Sequence, residues 1–155
     1  STDRIEVSRQ INAAAGKIFD LLRSPGGHVA IDSSGMLQSF TGEPAKAVGD
    51  SFVIHMDRES LNDFPELGKY DVTVLITTYE QDREIAWTPT GKLNLNHVYG
   101  YRLEPNDGGT LVTQYYDWST IEQNWHLGYL GHAGDTKGGV VAMNDLLVPG
   151  KQHKK

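Results

Sequence analysis

The sequence predicts an α+β fold in which helices stand at the two ends of a continuous run of antiparallel strands. Three observations predict it. The chain opens on period-two alternation, and from Met36 to Ser119 it is built of strand-like runs parted by turn chemistry. Helical spacing is confined to a stretch after the first strand and to the segment beyond Ser119. A doubly wound nucleotide fold needs strands and helices in alternation, so it is disfavoured.

The first strand spans Arg4 to Ile11, where Ile5, Val7, Arg9 and Ile11 share one parity and Glu6, Ser8 and Gln10 the other. Asn12 then caps a short helix from about Ala14 to Arg23, with Ile18, Leu21 and Leu22 on one face. Ser24-Pro25-Gly26-Gly27 stops that helix, and His28 to Asp32 makes one further turn before Ser33-Ser34-Gly35. In the middle section Phe52, Ile54 and Met56 alternate with Val53, His55 and Asp57. Tyr70, Val72, Val74 and Ile76 do the same against Asp71, Thr73 and Thr77. Residues 62–68 form a loop by composition, and Glu80 to Arg83 is a polar turn into Ile85-Ala86-Trp87. The clearest hairpin runs from His97 to Leu103, turns through Asn106-Asp107-Gly108-Gly109 and returns from Thr110 to Ser119. Its Asp-Gly pair is expected to supply the positive φ of the turn. Ser119-Thr120-Ile121-Glu122 fits a capping box, and Val140, Met143 and Leu147 repeat at helical spacing up to Pro149-Gly150. This terminal helix is the element long enough to cover the oily face of the sheet. Residues 1–150 therefore read as a single domain and 151–155 as a flexible tail.

Composition narrows the function classes. With 155 residues, 38% of them hydrophobic and 22% charged, the chain is neither a disordered tail nor a membrane protein. Twenty acidic against fourteen basic side chains give a charge of -6, which leaves nucleic-acid binding without its electrostatic source. No cysteine is present, so thiol nucleophiles and thiolate metal sites are excluded. No uncharged apolar run approaches the roughly 18 residues of a membrane span, and Ser1-Thr2-Asp3-Arg4 lacks the order of a signal peptide. The expected location is cytoplasmic. There is no H-E-x-x-H, P-loop, G-x-G-x-x-G or G-x-S-x-G motif; His126 and His132 are too loosely spaced for a metal site. Neither a metal nor another cofactor is expected.

Several segments together resemble the START-like (SRPBCC) superfamily, in its polyketide cyclase/dehydrase-like branch. They are Ile5 to Phe19 with its Asn12-Ala13-Ala14-Ala15 junction, His28-x-x-x-Asp32-Ser33-Ser34-Gly35, and Val48-Gly49-Asp50-Ser51-Phe52 at a strand start. Arg83-Glu84-Ile85-Ala86-Trp87, Tyr101-Arg102-Leu103-Glu104-Pro105 and Tyr116-Asp117-Trp118 complete the set, which covers nearly the whole chain. The resemblance implies the helix-grip fold: a curved seven-stranded antiparallel sheet around a C-terminal helix, with two short helices after the first strand and a pocket between sheet and helix. Such motifs specify fold far better than chemistry, since the superfamily includes lipid carriers, receptors and aromatase/cyclases. The glycine-rich stretch from Gly128 departs from the longer terminal helix of relatives.

Two constellations are candidates for function. His28 and Asp32 stand four apart and share a helical face, as an acid/base pair at the pocket mouth would. The competing structural role has Asp32 capping the backbone around Ser33-Ser34. The second is aromatic: His97, Tyr99, Tyr101 and Leu103 share one parity, as do Val112, Gln114, Tyr116 and Trp118 on the returning strand. Inward-facing, these residues with Trp87, and Met143 from the terminal helix, would line a cavity with oriented polar tips. The returning strand leaves its inward parity open, because Leu111, Thr113, Tyr115 and Asp117 form the other set. His55 is expected to face solvent.

Three functions follow. The leading one is binding of a small hydrophobic, aromatic or polycyclic molecule between sheet and terminal helix, as in lipid transport. The second is a cofactor-free cyclase or dehydratase, a lyase or isomerase on a polyketide-like carbonyl substrate, with His28 or His97 as general base and tyrosine hydroxyls on the enolate oxygen. The third is a protein-interaction module with a filled cavity. A monomer and a homodimer are both compatible with the sequence.

Overall fold

The computed structural model describes residues 4–32, 35–57, 68–91 and 97–118. The predicted terminal helix, its capping box, Met143, the tail and the loop at residues 62–67 lie outside the described residues. The elements are β1 (Arg4–Ile11), α1 (Ala15–Leu22), α2 (Pro25–Ile31), β2 (Leu37–Thr41), β3 (Ser51–Asp57), β4 (Lys69–Glu80), β5 (Glu84–Gly91), β6 (Val98–Asn106) and β7 (Gly109–Asp117). They form one seven-stranded sheet in the order β1-β7-β6-β5-β4-β3-β2, antiparallel at every pairing. The architecture is α+β, as expected, and consistent with the helix-grip fold.

Both helices pack on one face of this sheet, where α1 meets β5 and β6 and α2 meets β2 and β3. The core is the apolar stripe of α1 (Ile18, Phe19, Leu22) set against Phe52, Ile54, Val74, Ile76, Ile85, Leu103 and Val112. Those strand residues are one parity of each strand, which the alternation predicts. A bulge at Thr77, between Ile76 and Thr78, shifts the register of β4. It turns Tyr79 to the inner face, where its ring meets Phe19 edge-on at 5.1 Å.

The parity of β7 is settled by its outer neighbours. Tyr115 faces outward with the Arg4 guanidinium 3.9 Å and that of Arg102 5.4 Å from its ring centroid. Its hydroxyl donates to Glu84 at 2.6 Å. Burial first, and Glu84 second, push the Tyr115 pKa up. Gly100 lies under that ring, and a Cβ there would stand 2.2 Å from it. Glu6 accepts from both Arg4 and Arg102, which hold its carboxyl below the usual range. Tyr116, Gln114, Val112 and Thr110 consequently face inward.

Three local expectations differ from the structure. Helix α1 is capped at Ala14 with no side-chain cap, so Asn12 does not cap it; instead the Ala13 amide bonds back to the Ile11 carbonyl at 2.9 Å. Helix α1 does end before Ser24-Pro25-Gly26-Gly27, but Pro25-Gly26-Gly27 is already the first turn of α2, which starts three residues earlier than expected. Proline is tolerated at the first helical position because its missing N–H has no partner there anyway. In the β6–β7 hairpin the turn residues are Asp107 and Gly108, but the positive φ of 126° falls on Gly109. A Cβ at Gly109 would also stand 2.2 Å from the Ile11 carbonyl oxygen, so glycine seats the turn against the end of β1.

Candidate functional site

Strand register assembles the candidate residues into two inner-face rows. The first runs Ile5, Tyr116, Tyr99, Trp87 and Ile76 across β1, β7, β6, β5 and β4. The second, two residues along, runs Val7, Gln114, Tyr101, Ile85 and Tyr79. Cross-strand neighbours stand about 5 Å apart, close enough for rings to stack. Tyr99 and Tyr116 are parallel within 11° with centroids at 4.7 Å. Trp87 lies within 25° of Tyr101 at 5.8 Å and within 20° of Tyr99 at 6.2 Å. Trp118, just past β7, extends the series through Tyr116 at 5.2 Å.

Two histidines pack against it. His28 reaches from α2 to Trp87 at 4.5 Å and meets Phe52 edge-on at 5.1 Å. His97, immediately before β6, presents an edge to Tyr99 at 5.3 Å and to Tyr116 at 5.5 Å. Its backbone is fixed by the Thr88 hydroxyl, which donates to the His97 carbonyl at 2.8 Å. The outcome is one continuous ring surface from Phe52 to Trp118, drawn from α2 and four strands. Phe52 is the member that sequence reasoning did not single out; its inward parity was legible, its contact with α2 was not.

Electrostatically the surface is quiet. His28 Nε2 lies 2.7 Å from the Leu22 carbonyl. A carbonyl only accepts, so Nε2 carries the proton and Nδ1 the lone pair. Burial lowers the His28 pKa to about 4 against the opposing pull of that hydrogen bond, and burial lowers that of His97 to about 4. Both rings are neutral at pH 7. Burial also raises the Tyr101 pKa, so its phenol stays protonated. Gln114 is 6% exposed, and its Oε1 is buried without a hydrogen-bond partner.

Asp32 and His28 take separate partners. Asp32 Oδ2 accepts from the amides of Gly35 at 2.9 Å and Leu37 at 3.3 Å, while the imidazole serves Leu22. His55 lies on the outer face, where Nδ1 donates to Asp71 at 2.7 Å and Nε2 meets the Thr41 hydroxyl at 2.8 Å. Among the described residues no cluster of three His, Asp or Glu side chains is placed to hold a metal ion, and no helix is long and apolar enough to cross a membrane.

Neither a protein-family model nor a curated protein matches the chain. Solved structures do. A protein from Arthrobacter aurescens superposes with a TM-score of 0.74 at 13% identity, covering 99% of this chain and 90% of its own. Aha1 from Colwellia psychrerythraea, solved as a dimer, gives 0.65 at 16% identity over 96% of this chain and 98% of its own. An AHSA1-like protein from Aeromonas hydrophila gives 0.59 at 16% identity over 97% and 99%. At these identities the likeness establishes a common fold, shared with the Aha1 and AHSA1-like structures, and nothing beyond it.

Proposed function

We propose that the inner face of the sheet binds a small, largely apolar aromatic molecule, held against β5, β6 and β7 on the side where α1 and α2 pack. One observation carries this reading: a continuous surface of rings, with Trp87, Tyr99, Tyr101 and Tyr116 stacked and Trp118 tilted against Tyr116, gathered on one face. Aromatic rings favour offset-stacked partners of their own kind, at roughly 0.5–1.5 kcal/mol per pair beyond burial. A flat guest extends the stack at little ordering cost.

Binding is favoured over turnover by the state of the histidines. A general base works best with a pKa near the operating pH. Imidazoles that hold a proton only below about pH 4 take one reluctantly at neutrality. The cyclase or dehydratase reading with His28 or His97 as base therefore has only weak bases to draw on. The polyketide-cyclase branch, lipid transport and a partner-binding role have no residue-level support comparable to the ring surface. The protein acts as a cytoplasmic monomer or homodimer in this reading.

Native mass spectrometry of the protein as purified tests it. The expected result is a mass above that of the 17.1 kDa chain, with a small aromatic compound released on denaturation. A bare-chain mass, together with tryptophan emission unmoved by added 2-naphthol, contradicts it.

A further inference from the structure

Among the described residues of the inner face, Gln114 carries a polar atom that its neighbours leave unanswered. Gln114 sits mid-strand in β7, opposite Tyr101 on one side and Val7 on the other. It is 6% exposed, and its Oε1 is sealed from solvent without a hydrogen bond. Leaving a buried amide oxygen unpaired costs about 1–3 kcal/mol. A methionine or leucine would fill the position at no such cost. The chain nevertheless carries an acceptor there, opposite Tyr101, whose ring stacks with Trp87.

The described positions of that face from β3 to β7 are without fixed charge. From β3 to β7 the positions sharing its parity carry no Asp, Glu, Lys or Arg among the described residues. Arg9 on β1 is exposed, and the Asp32 carboxylate on α2 is bonded to backbone amides. An anionic guest would shed its hydration with no cation among these described positions to meet it, which is expensive in an apolar setting.

Resting on the ligand-binding reading above, we propose that the guest is an uncharged aromatic molecule carrying a hydroxyl or N–H donor, which donates to Gln114 Oε1 while the ring lies against Tyr101 and Trp87. Phenols, indoles and hydroxylated polycycles belong to this class; aromatic carboxylates and fully methylated ethers do not. The neutral histidines agree with it, since neither supplies a cation at pH 7.

Calorimetric titration at pH 7 with three matched probes, 2-naphthol, 2-methoxynaphthalene and 2-naphthoate, tests the proposal on the wild type and on Gln114→Met. The wild type is expected to bind 2-naphthol about tenfold more tightly than either analogue, the range of one hydrogen bond to an otherwise unpaired buried group. In Gln114→Met the naphthol and its methyl ether should bind within about twofold of each other, and binding of the ether reports that the variant is folded. Equal affinities of the wild type for all three probes, or a naphthol preference surviving in Gln114→Met, overturn the donor assignment and leave the aromatic site standing. Failure of all three to bind the wild type overturns the ligand-binding reading and this inference with it.

Discussion

Acidification from pH 7 to pH 5 is expected to cost this protein about 4 kcal/mol of folding stability, about 2 from each of His28 and His97. Both have an unfolded value of 6.5 and a folded value of about 4, lowered by burial. Between those values the unfolded chain binds a proton that the folded chain does not. Stability is therefore complete above about pH 6.5, falls as pH drops toward 4, and loses nothing more from these groups below that. The window distinguishes them from Glu6, whose lowered pKa makes its share of stability present above 4.5 and lost only on further acidification. Urea unfolding across this range should show a steadily falling midpoint, and His97→Gln should remove about half of the slope. A midpoint unchanged between pH 7 and pH 5 would show that neither imidazole is buried as described.

Gly27→Ala should destabilise the fold by about 3 kcal/mol, at the upper end of ordinary overpacking, and lower the melting temperature by roughly 10 °C. A Cβ on Gly27 would lie 1.8 Å from the Leu21 carbonyl oxygen and 2.7 Å from its carbon, so α2 has to move off the end of α1. That movement breaks the bond from His28 to Leu22 and draws the imidazole off Trp87. Gly16→Ala is the control of opposite sign. Its Cβ meets Asp82 at 3.7 Å, an ordinary contact, and alanine in a helix gains about 0.5–1 kcal/mol over glycine. Thermal unfolding of the two variants checks the pair; a Gly27→Ala melting temperature equal to that of the wild type would mean the helices are not this close.

Much of this arrangement is legible in the sequence, for a physical reason. A strand with one buried face writes its parity into the residue pattern, so β1, β3, β4 and the β6–β7 hairpin can be read directly. The same parity puts Tyr99, Tyr101, Gln114 and Tyr116 on one face once β7 is oriented. Strand β7 hides its orientation because Tyr115 and Tyr116 are both buried, one on each face. The telling residues lie on its neighbours: Gly100, which leaves room for a ring, and Arg4 and Arg102, which flank it.

The rest depends on long-range packing. Glycine is a poor helix former, so Pro25-Gly26-Gly27 reads only as the break that ends α1; that it also opens α2 follows from the close approach of Gly27 to α1, which demands glycine and overrides propensity. Burial of the imidazole of His28 follows from where α2 lands on β3 and β5, which no local pattern records. The bulge at Thr77 likewise reverses the parity of Tyr79 without a local mark.

The central claim, a small-molecule site on the inner aromatic face, is tested most directly by following the side-chain N–H signals of Trp87 and Trp118 by NMR while 2-naphthol is added. The account predicts that both signals shift together and saturably, with the ring protons of His28 and His97, while those of Tyr115 on the outer face stay in place. Unmoved Trp87 and Trp118 signals, or shifts confined to the outer face around Tyr115, would contradict it.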